Sequence, residues 1–345
     1  MSVNIRENVP LASLTTLKIG GPASFFAEAV HEDEIVEAFE FADSRGLDVF
    51  VLGGGSNILV SDEGFDGLVI QIGIKGIAEG GSGNPDYDIT AQAGEDWDSF
   101  VAYCVERRLA GVECLSGIPG FVGGTPVQNV GAYGQDVSET IVSVRCFDRE
   151  TREFVAFSNA ECGFEYRKSI FNSTHRDRYV VISVTYELRQ SGEPMIVYKD
   201  LIEHFVDTNP GLSEVRAAVL QIRRAKSMVI DASDPNSQSA GSFFKNPVVP
   251  LYKYDVMAEE LGFVPHFPAG DDLVKIPAAW LIERAGFPKG YTKGNAGISS
   301  NHTLALINRG GASAHEIISL KDDIQQAVNE RFNIELYPEP IFIGF

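Results

Sequence analysis

A chain of 345 residues is long enough for two or three domains and a sizeable core. Its 28 basic residues against 48 acidic ones leave a formal charge of −20, a field that repels nucleic acid and anionic membranes. An anionic substrate would need a local basic patch, for which Arg223, Arg224 and Lys226, and the pair Lys289 and Lys293, are the candidates.

The first third alternates strands and helices. The stretch 23–30 (ASFFAEAV) reads as a strand, and 32–46 (EDEIVEAFEFADSRG) as an amphipathic helix with Ile35, Val36, Phe39 and Ala42 on one face and Gly46 at its end. An apolar strand over 47–60 (LDVFVLGGGSNILV) runs into three glycines, and GLVIQIG follows as another strand. That order argues for a small α/β subdomain over 1–75. A second segment over 76–225 opens with the strand DYDITAQAG. The helix DWDSFVAYCVERRLAG comes next, with Trp97, Phe100, Val101, Cys104 and Val105 facing inward. The stretch 117–137 (GIPGFVGGTPVQNVGAYGQDV) is too rich in glycine for any regular element. Strands return at 141–148 and 178–188.

The third segment, 226–333, holds the octapeptide AGSFFKNP (240–247), a helix around IPAAWLIERAG and a strand and turn at 303–311. Its long helix SAHEIISLKDDIQQAVNERF starts at a capping-box spacing, Ser313 to Glu316. The tail 334–345, packing on the first subdomain, contains a strand broken by two prolines and therefore reads as an edge or terminal strand. Cys104, Cys114, Cys146 and Cys162 show no metal-finger spacing and read as buried reduced thiols. The histidines form no metal cluster. No signal pattern opens the chain and no apolar run approaches the roughly 20 residues that span a bilayer, so a cytoplasmic protein without membrane insertion is expected.

Two loops carry the chemistry. Glycine lets a backbone take positive φ and approach a ligand closely, so GGGSN (53–57) reads either as a tight turn or as a phosphate cradle. It is neither a dinucleotide fingerprint nor a Walker loop. The second loop, 117–137, interleaves six glycines with Thr125, Gln128, Asn129 and Tyr133, at a high cost in conformational entropy. A large ligand bearing a pyrophosphate and a planar ring accounts for both loops. Flavin suits them better than nicotinamide, though composition does not decide it.

The motifs TTLKIGGPA (15–23), GGGSN, IPGFVGGTPVQNVGAYG, EYRKSIF (165–171), AGSFFKNP, AAWLIERAG and the YPE near the end follow one another in an order that resembles the UDP-N-acetylenolpyruvoylglucosamine reductase (MurB) family over nearly the whole chain. The resemblance implies an α+β fold: a two-part FAD-binding region of the vanillyl-alcohol-oxidase (PCMH) type plus a C-terminal α+β substrate-binding domain. It implies a flavoenzyme of peptidoglycan precursor synthesis, expected to be a monomer, in which NADPH reduces noncovalent FAD. The reduced flavin then converts UDP-N-acetylglucosamine enolpyruvate to UDP-N-acetylmuramate. It assigns the cofactor to Gly53, Gly54, Gly55, Ser56 and Asn57 in the first loop. In the second it assigns Gly120, Gly123, Gly124, Thr125 and Gln128, with Asn129, Gly131 and Ala132.

Hydride addition to the enolpyruvyl group drives negative charge into its carboxylate, and the enzyme must stabilise that charge and then protonate carbon. By the same resemblance Arg167 polarises the carboxylate with its two-pronged fork. Glu339, among Pro338, Pro340, Ile341 and Phe342, is the neutral acid that hydrogen-bonds the developing charge; the family often has a second glutamate where this chain has Tyr337. Ser242 is the proton donor. Because a serine is a weak acid, it needs neighbours that favour the alkoxide and a route for reprotonation. Lys226 and Lys289 suit the diphosphate, and Asn246 the sugar-nucleotide. Tyr133 and Tyr198 line or cover the pocket, Tyr198 in the lid loop of the type I subclass. His302 stands where the family often has glutamine, and a structural role fits it as well. In isolation, Arg167 reads as a surface ion-pairing residue, Glu339 as a strand-end carboxylate and Ser242 as a turn cap.

Two other functions fit parts of the sequence. Flavin-linked oxidases of alcohols or hydroxy acids frequently tether the flavin through a histidine near the first glycine loop; none lies between His31 and His175, which argues against a covalent flavin but not against a noncovalent oxidase. A silent UDP-sugar-binding regulator would have lost the arginine or the proton donor, and both are present.

Overall fold

A computed structural model describes residues 3–83 and 86–345, and these divide into two compact units. The first comprises 1–9, 23–55 and 66–229; the second comprises 10–22, 56–65 and 230–345.

The first unit is built on two large sheets and one two-stranded hairpin. One has four strands in the order Ile5–Pro10, Pro22–Ala29, Phe65–Ile72, Val49–Leu52. Val49–Leu52 runs parallel to Phe65–Ile72, with Val49 opposite Leu68, as a strand–crossover–strand unit requires. The helix Glu32–Arg45 carries Glu32, Asp33 and Glu34 in its first turn, where the helix dipole favours acid. The Glu34 carboxylate accepts from the His31 N–H at 3.1 Å, and Gly46 closes the other end at φ 65°. Ile35, Ala38, Phe39 and Ala42 are buried. The second sheet has six strands, with Tyr179–Gln190 between Ile141–Asp148 and Asp86–Gln92, both antiparallel to it. Against it belongs the helix Trp97–Glu106, capped by Asp96, whose buried residues are the five expected from its periodicity.

The apolar stretch 47–60 is two strands, not one. Val49–Leu52 stops at the glycines, and Ile58–Val60 resumes in the second unit, parallel to Ile341–Ile343. The 117–137 stretch is likewise less irregular than its glycines suggest: Gly131–Ala132 and Gln135–Asp136 pair as a tight hairpin.

The second unit shares one apolar core, in which the helix Ala314–Phe332 packs against the sheet of Thr292–Lys293, Ala296–Ile298 and Leu306–Asn308 and against the helix Ala278–Arg284. Ser313 and Glu316 form the expected reciprocal cap, the Glu316 N–H donating to Ser313 Oγ at 3.1 Å and the Ser313 N–H to the Glu316 carboxylate at 3.0 Å. Ile317, Leu320, Ile324, Val328 and Phe332 are buried, each worth about 1.5–3 kcal/mol. The tail strand Ile341–Ile343 is terminal as expected, pairing with Ile58–Val60 in a two-stranded sheet, and the residues just before it bond the octapeptide turn. Proline has no N–H, so only Glu339 and Ile341 donate here: Glu339 N to Phe243 O at 2.9 Å, Ile341 N to Asn57 O at 3.0 Å. The prolines fall where no donor is needed. All four cysteines are free and buried, and burial pushes the Cys114 and Cys162 thiols up to about 12.

Buried Asn308 ties the early segment 10–22 into the second unit. Its amide donates to Leu17 O at 3.0 Å, while its oxygen accepts from the N–H groups of Gly310 and Ala312 at 2.9 and 3.0 Å. Asn308→Ala should cost about 2–3 kcal/mol in chemical unfolding, because the buried Leu17 carbonyl and Ala312 N–H lose their partner along with the Gly310 N–H. A pH effect follows from Asp148, buried against Arg178 at 2.7 Å, whose guanidinium holds the carboxyl down to about 2 from the ordinary 3.8. A depressed carboxyl stabilises the fold above its ordinary value and loses that contribution as pH falls. The gap in urea midpoint between wild type and Asp148→Asn should therefore narrow from about pH 5 to about pH 2.

Candidate active site

The two glycine loops meet in the first unit. A Cβ on Gly54 would lie 2.6 Å from Cα of Gly120, and one on Gly123 would lie 2.6 Å from the Ala93 side chain. Glycine here is a matter of backbone touching backbone. A Cβ on Gly53 or Gly124 would meet nothing within 4 Å, so beside the packed contacts the main chain is bare. Gly55 and Gly120 take φ of 64° and 123°, outside the range of ordinary side chains. A cradle of uncovered main chain beside such contacts fits the pyrophosphate of a dinucleotide. Thr125 and Asn129 use their side chains on the protein itself: Thr125 Oγ1 bonds Val122 O at 2.8 Å and Tyr186 OH at 3.0 Å, and the Asn129 amide spans Glu165 O and Ser138 N. Half-buried Gln128 follows Thr125 in the same loop.

The hairpin 131–136 turns through Tyr133 and Gly134 with φ of 50° and 86°, the positive pair that two-residue hairpins favour. At its base Arg167 donates to Gly131 O at 2.6 Å and Asn129 O at 3.2 Å, with Asp136 at 3.8 Å. Arg167 itself sits at φ 54°. At its tip Tyr133 meets Tyr198 edge-on, ring centres 5.3 Å apart, and Lys226 Nζ lies 5.7 Å from the Tyr133 ring. Burial pushes the Tyr133 phenol above its ordinary value. Lys226 also pairs with Asp200 at 2.8 Å; burial pulls its ammonium down, but the Asp200 hydrogen bond outweighs this and the net shift is upward.

In the second unit the octapeptide forms a turn whose two rings are fully buried and packed edge to face at 5.4 Å. Phe243 N donates to Leu304 O at 2.7 Å, Lys245 N donates to Tyr337 O at 2.9 Å, and Phe244 bridges Pro338. Half-buried Ser242 thereby stands in fixed register with the Glu339 segment. Its hydroxyl lies 3.3 Å from His302 Nε2. Asn246 Oδ1 accepts from the Ala278 N–H at 2.9 Å, capping a helix start. Asn57 Nδ2 donates to Glu339 O at 3.2 Å, and Ser56 precedes it. Lys289 is exposed in the turn after the helix Ala278–Arg284.

Two members of the proposed basic patches are committed elsewhere. Arg223 is buried, donating to Gly117 O at 3.1 Å and Met228 O at 2.7 Å, and Lys293 pairs with Asp323. Both supports reflect folding needs that composition cannot show. Sequence alone does not single out Asp200 and Asp136, which face the two candidate cations; Asp200 lies in IVYKDL (196–201), where an acid beside Tyr198 is the available signal. Nor does it single out Asp98, which anchors the second loop by accepting from the Gly117 N–H and from Arg216, both at 2.5 Å. Burial pushes the Asp98 carboxyl up, but these donors outweigh it and hold it below its ordinary value. Among the described residues no cluster of His, Cys, Asp or Glu could hold a metal ion, and no helix is long and apolar enough to cross a membrane.

Comparison with known proteins adds a family. Residues 234–343 match the model for the C-terminal domain of UDP-N-acetylenolpyruvoylglucosamine reductase, and residues 23–155 match the FAD binding domain. The UDP-N-acetylenolpyruvoylglucosamine reductase of Thermobifida fusca is 46% identical, covering 100% of this chain and 99% of that one. Its counterpart from Saccharopolyspora erythraea is 43% identical over 96% of this chain and 94% of its own. The crystal structure of the reductase from Thermus caldophilus superposes with a TM-score of 0.67 at 25% identity, covering 99% of this chain and 98% of that one. With an FAD-binding region and a C-terminal domain of this type, the chain is an FAD-dependent oxidoreductase and belongs to the UDP-N-acetylenolpyruvoylglucosamine reductase family.

Proposed function

We propose that this protein is a UDP-N-acetylmuramate dehydrogenase that uses NADPH as its reductant and protonates its product through Ser242. The observation that carries the assignment is the lock between the Ser242 turn and the tail, in which Glu339 N bonds Phe243 O and Lys245 N bonds Tyr337 O. Two groups suited to proton donation and charge stabilisation are thus held in one register. When bound, FAD would supply the hydride-transfer chemistry that links NADPH to the terminal carbon of the enolpyruvyl group.

The residues of the chain do the rest. Arg167 holds the substrate carboxylate, taking up with its fork the charge that develops there. Glu339, protonated, donates a hydrogen bond to the same charge, and Ser242 gives its hydroxyl proton to the adjacent carbon. The bare main chain at Gly53 and Gly124 receives the FAD pyrophosphate. Lys226 and Lys289 serve the substrate diphosphate, and Asn246 the sugar-nucleotide through the amide nitrogen that its helix cap does not use. Tyr133 and Tyr198 cover the substrate. The reaction belongs to cytoplasmic supply of peptidoglycan precursors, with the enzyme acting as a monomer.

Two experiments test these roles. Ser242→Ala should leave NADPH reduction of the flavin intact and slow its anaerobic reoxidation by UDP-N-acetylglucosamine enolpyruvate by roughly 10²–10⁴-fold. Stopped-flow measurement of each half-reaction decides it, and an unchanged second half-reaction rejects the role. For the cover, Tyr198→Phe should raise KM for the UDP-sugar while leaving the flavin absorption spectrum as it is. An unaltered KM counts against the lid.

A further inference from the structure

We propose that His302 is the residue that reprotonates Ser242, so that the two act as a relay delivering a solvent proton to the substrate carbon. The inference rests on the reading of Ser242 as proton donor. An aliphatic hydroxyl that gave up its proton alone would leave an alkoxide beside two buried phenyl rings, an expensive charge in a poorly solvated place. The structure holds the remedy 3.3 Å away, at His302 Nε2.

That contact is built into the backbone. Leu304 O accepts from Phe243 N at 2.7 Å, Ala305 N closes the 302–305 turn onto His302 O at 3.1 Å, and Thr303 is bonded to Glu283. His302 is half-buried, which leaves it a path for proton exchange. The other titratable groups on the elements that pack here are Lys245 on the serine turn, Glu339 and Tyr337 on the tail, and Glu283 on the Ala278–Arg284 helix.

In the step itself the substrate carbon, left with the former π pair when hydride adds to its neighbour, takes the Ser242 proton. One C–H bond forms and the serine O–H breaks. The imidazolium passes its Nε2 proton to Oγ, restoring the hydroxyl and leaving neutral imidazole, which solvent recharges. His302 thus touches the reacting group directly, and its protonated form is the active one.

The test uses prereduced holoenzyme mixed anaerobically with the UDP-enolpyruvyl sugar across a pH series, together with an NMR titration of the His302 ring. The wild-type reoxidation rate should fall as pH rises, with a midpoint equal to that of the ring. In His302→Gln the limb should vanish and the low-pH rate drop by about 10²-fold. A limb retained in His302→Gln, or a midpoint that differs from the ring's, overturns the relay. If the glutamine variant fails to retain flavin, the midpoint comparison alone decides. Ser242→Ala run in parallel separates the two ideas: unimpaired reoxidation there defeats the donor reading, whereas impaired reoxidation with a persistent limb in His302→Gln defeats only the relay.

Discussion

The register between the octapeptide turn and the tail is the constraint on which the chemistry proposed for the second unit depends. Two main-chain bonds and the Phe244–Pro338 bridge fix it, and the buried rings of Phe243 and Phe244 prevent it from sliding. A slip of one residue in such a pairing would reverse which side chains share a face. Here the flanking prolines oppose a slip as well, because moving Pro338 or Pro340 into a donor's place would leave a carbonyl without its N–H. A weak acid, a carboxyl group and an imidazole are therefore presented by rigid backbone rather than by flexible side chains.

The first unit solves a different problem, that of bringing main chain close to a ligand without burying unpaired polar groups. Its second loop is held from behind by Asp98 and Arg223, and its hairpin by Arg167. The Gly131 position shows how tight this is: a Cβ there would overlap the Asp136 carboxylate and crowd the Arg167 guanidinium. The same arginine thus organises the loop and is the cation proposed to meet the substrate carboxylate.

Much of this was legible in the residues. Helix faces, caps and the long strands followed from periodicity, because burial on one side imposes it: the Trp97–Glu106 helix buries the five residues its pattern indicates. The glycine loops announced close approach, and the Gly54–Gly120 contact is its physical form. What stayed hidden was set by partners distant in sequence. Nothing local says that Ile58–Val60 leaves the unit of Val49–Leu52 to pair with Ile341–Ile343, or that the residues before that strand bond the octapeptide turn. Composition makes Arg223 a candidate for a substrate-binding basic patch, because the carbonyls that hold it, Gly117 O and Met228 O, carry no signature there. The contact between Ser242 and His302 spans 60 residues, and no spacing rule could have joined them.

The interleaving of early and late segments in the second unit bears on how the polypeptide matures. Asn57 and Glu339 are bonded across 282 positions, and Thr16 reaches Ser239 across 223. During synthesis the 10–22 and 56–65 segments emerge long before their partners exist, so they must wait, exposed, while the intervening residues fold. Such distant pairings carry a large closure entropy and form slowly. Glu339 is recruited by that same late event, which ties acquisition of the carboxyl group to completion of the unit around it.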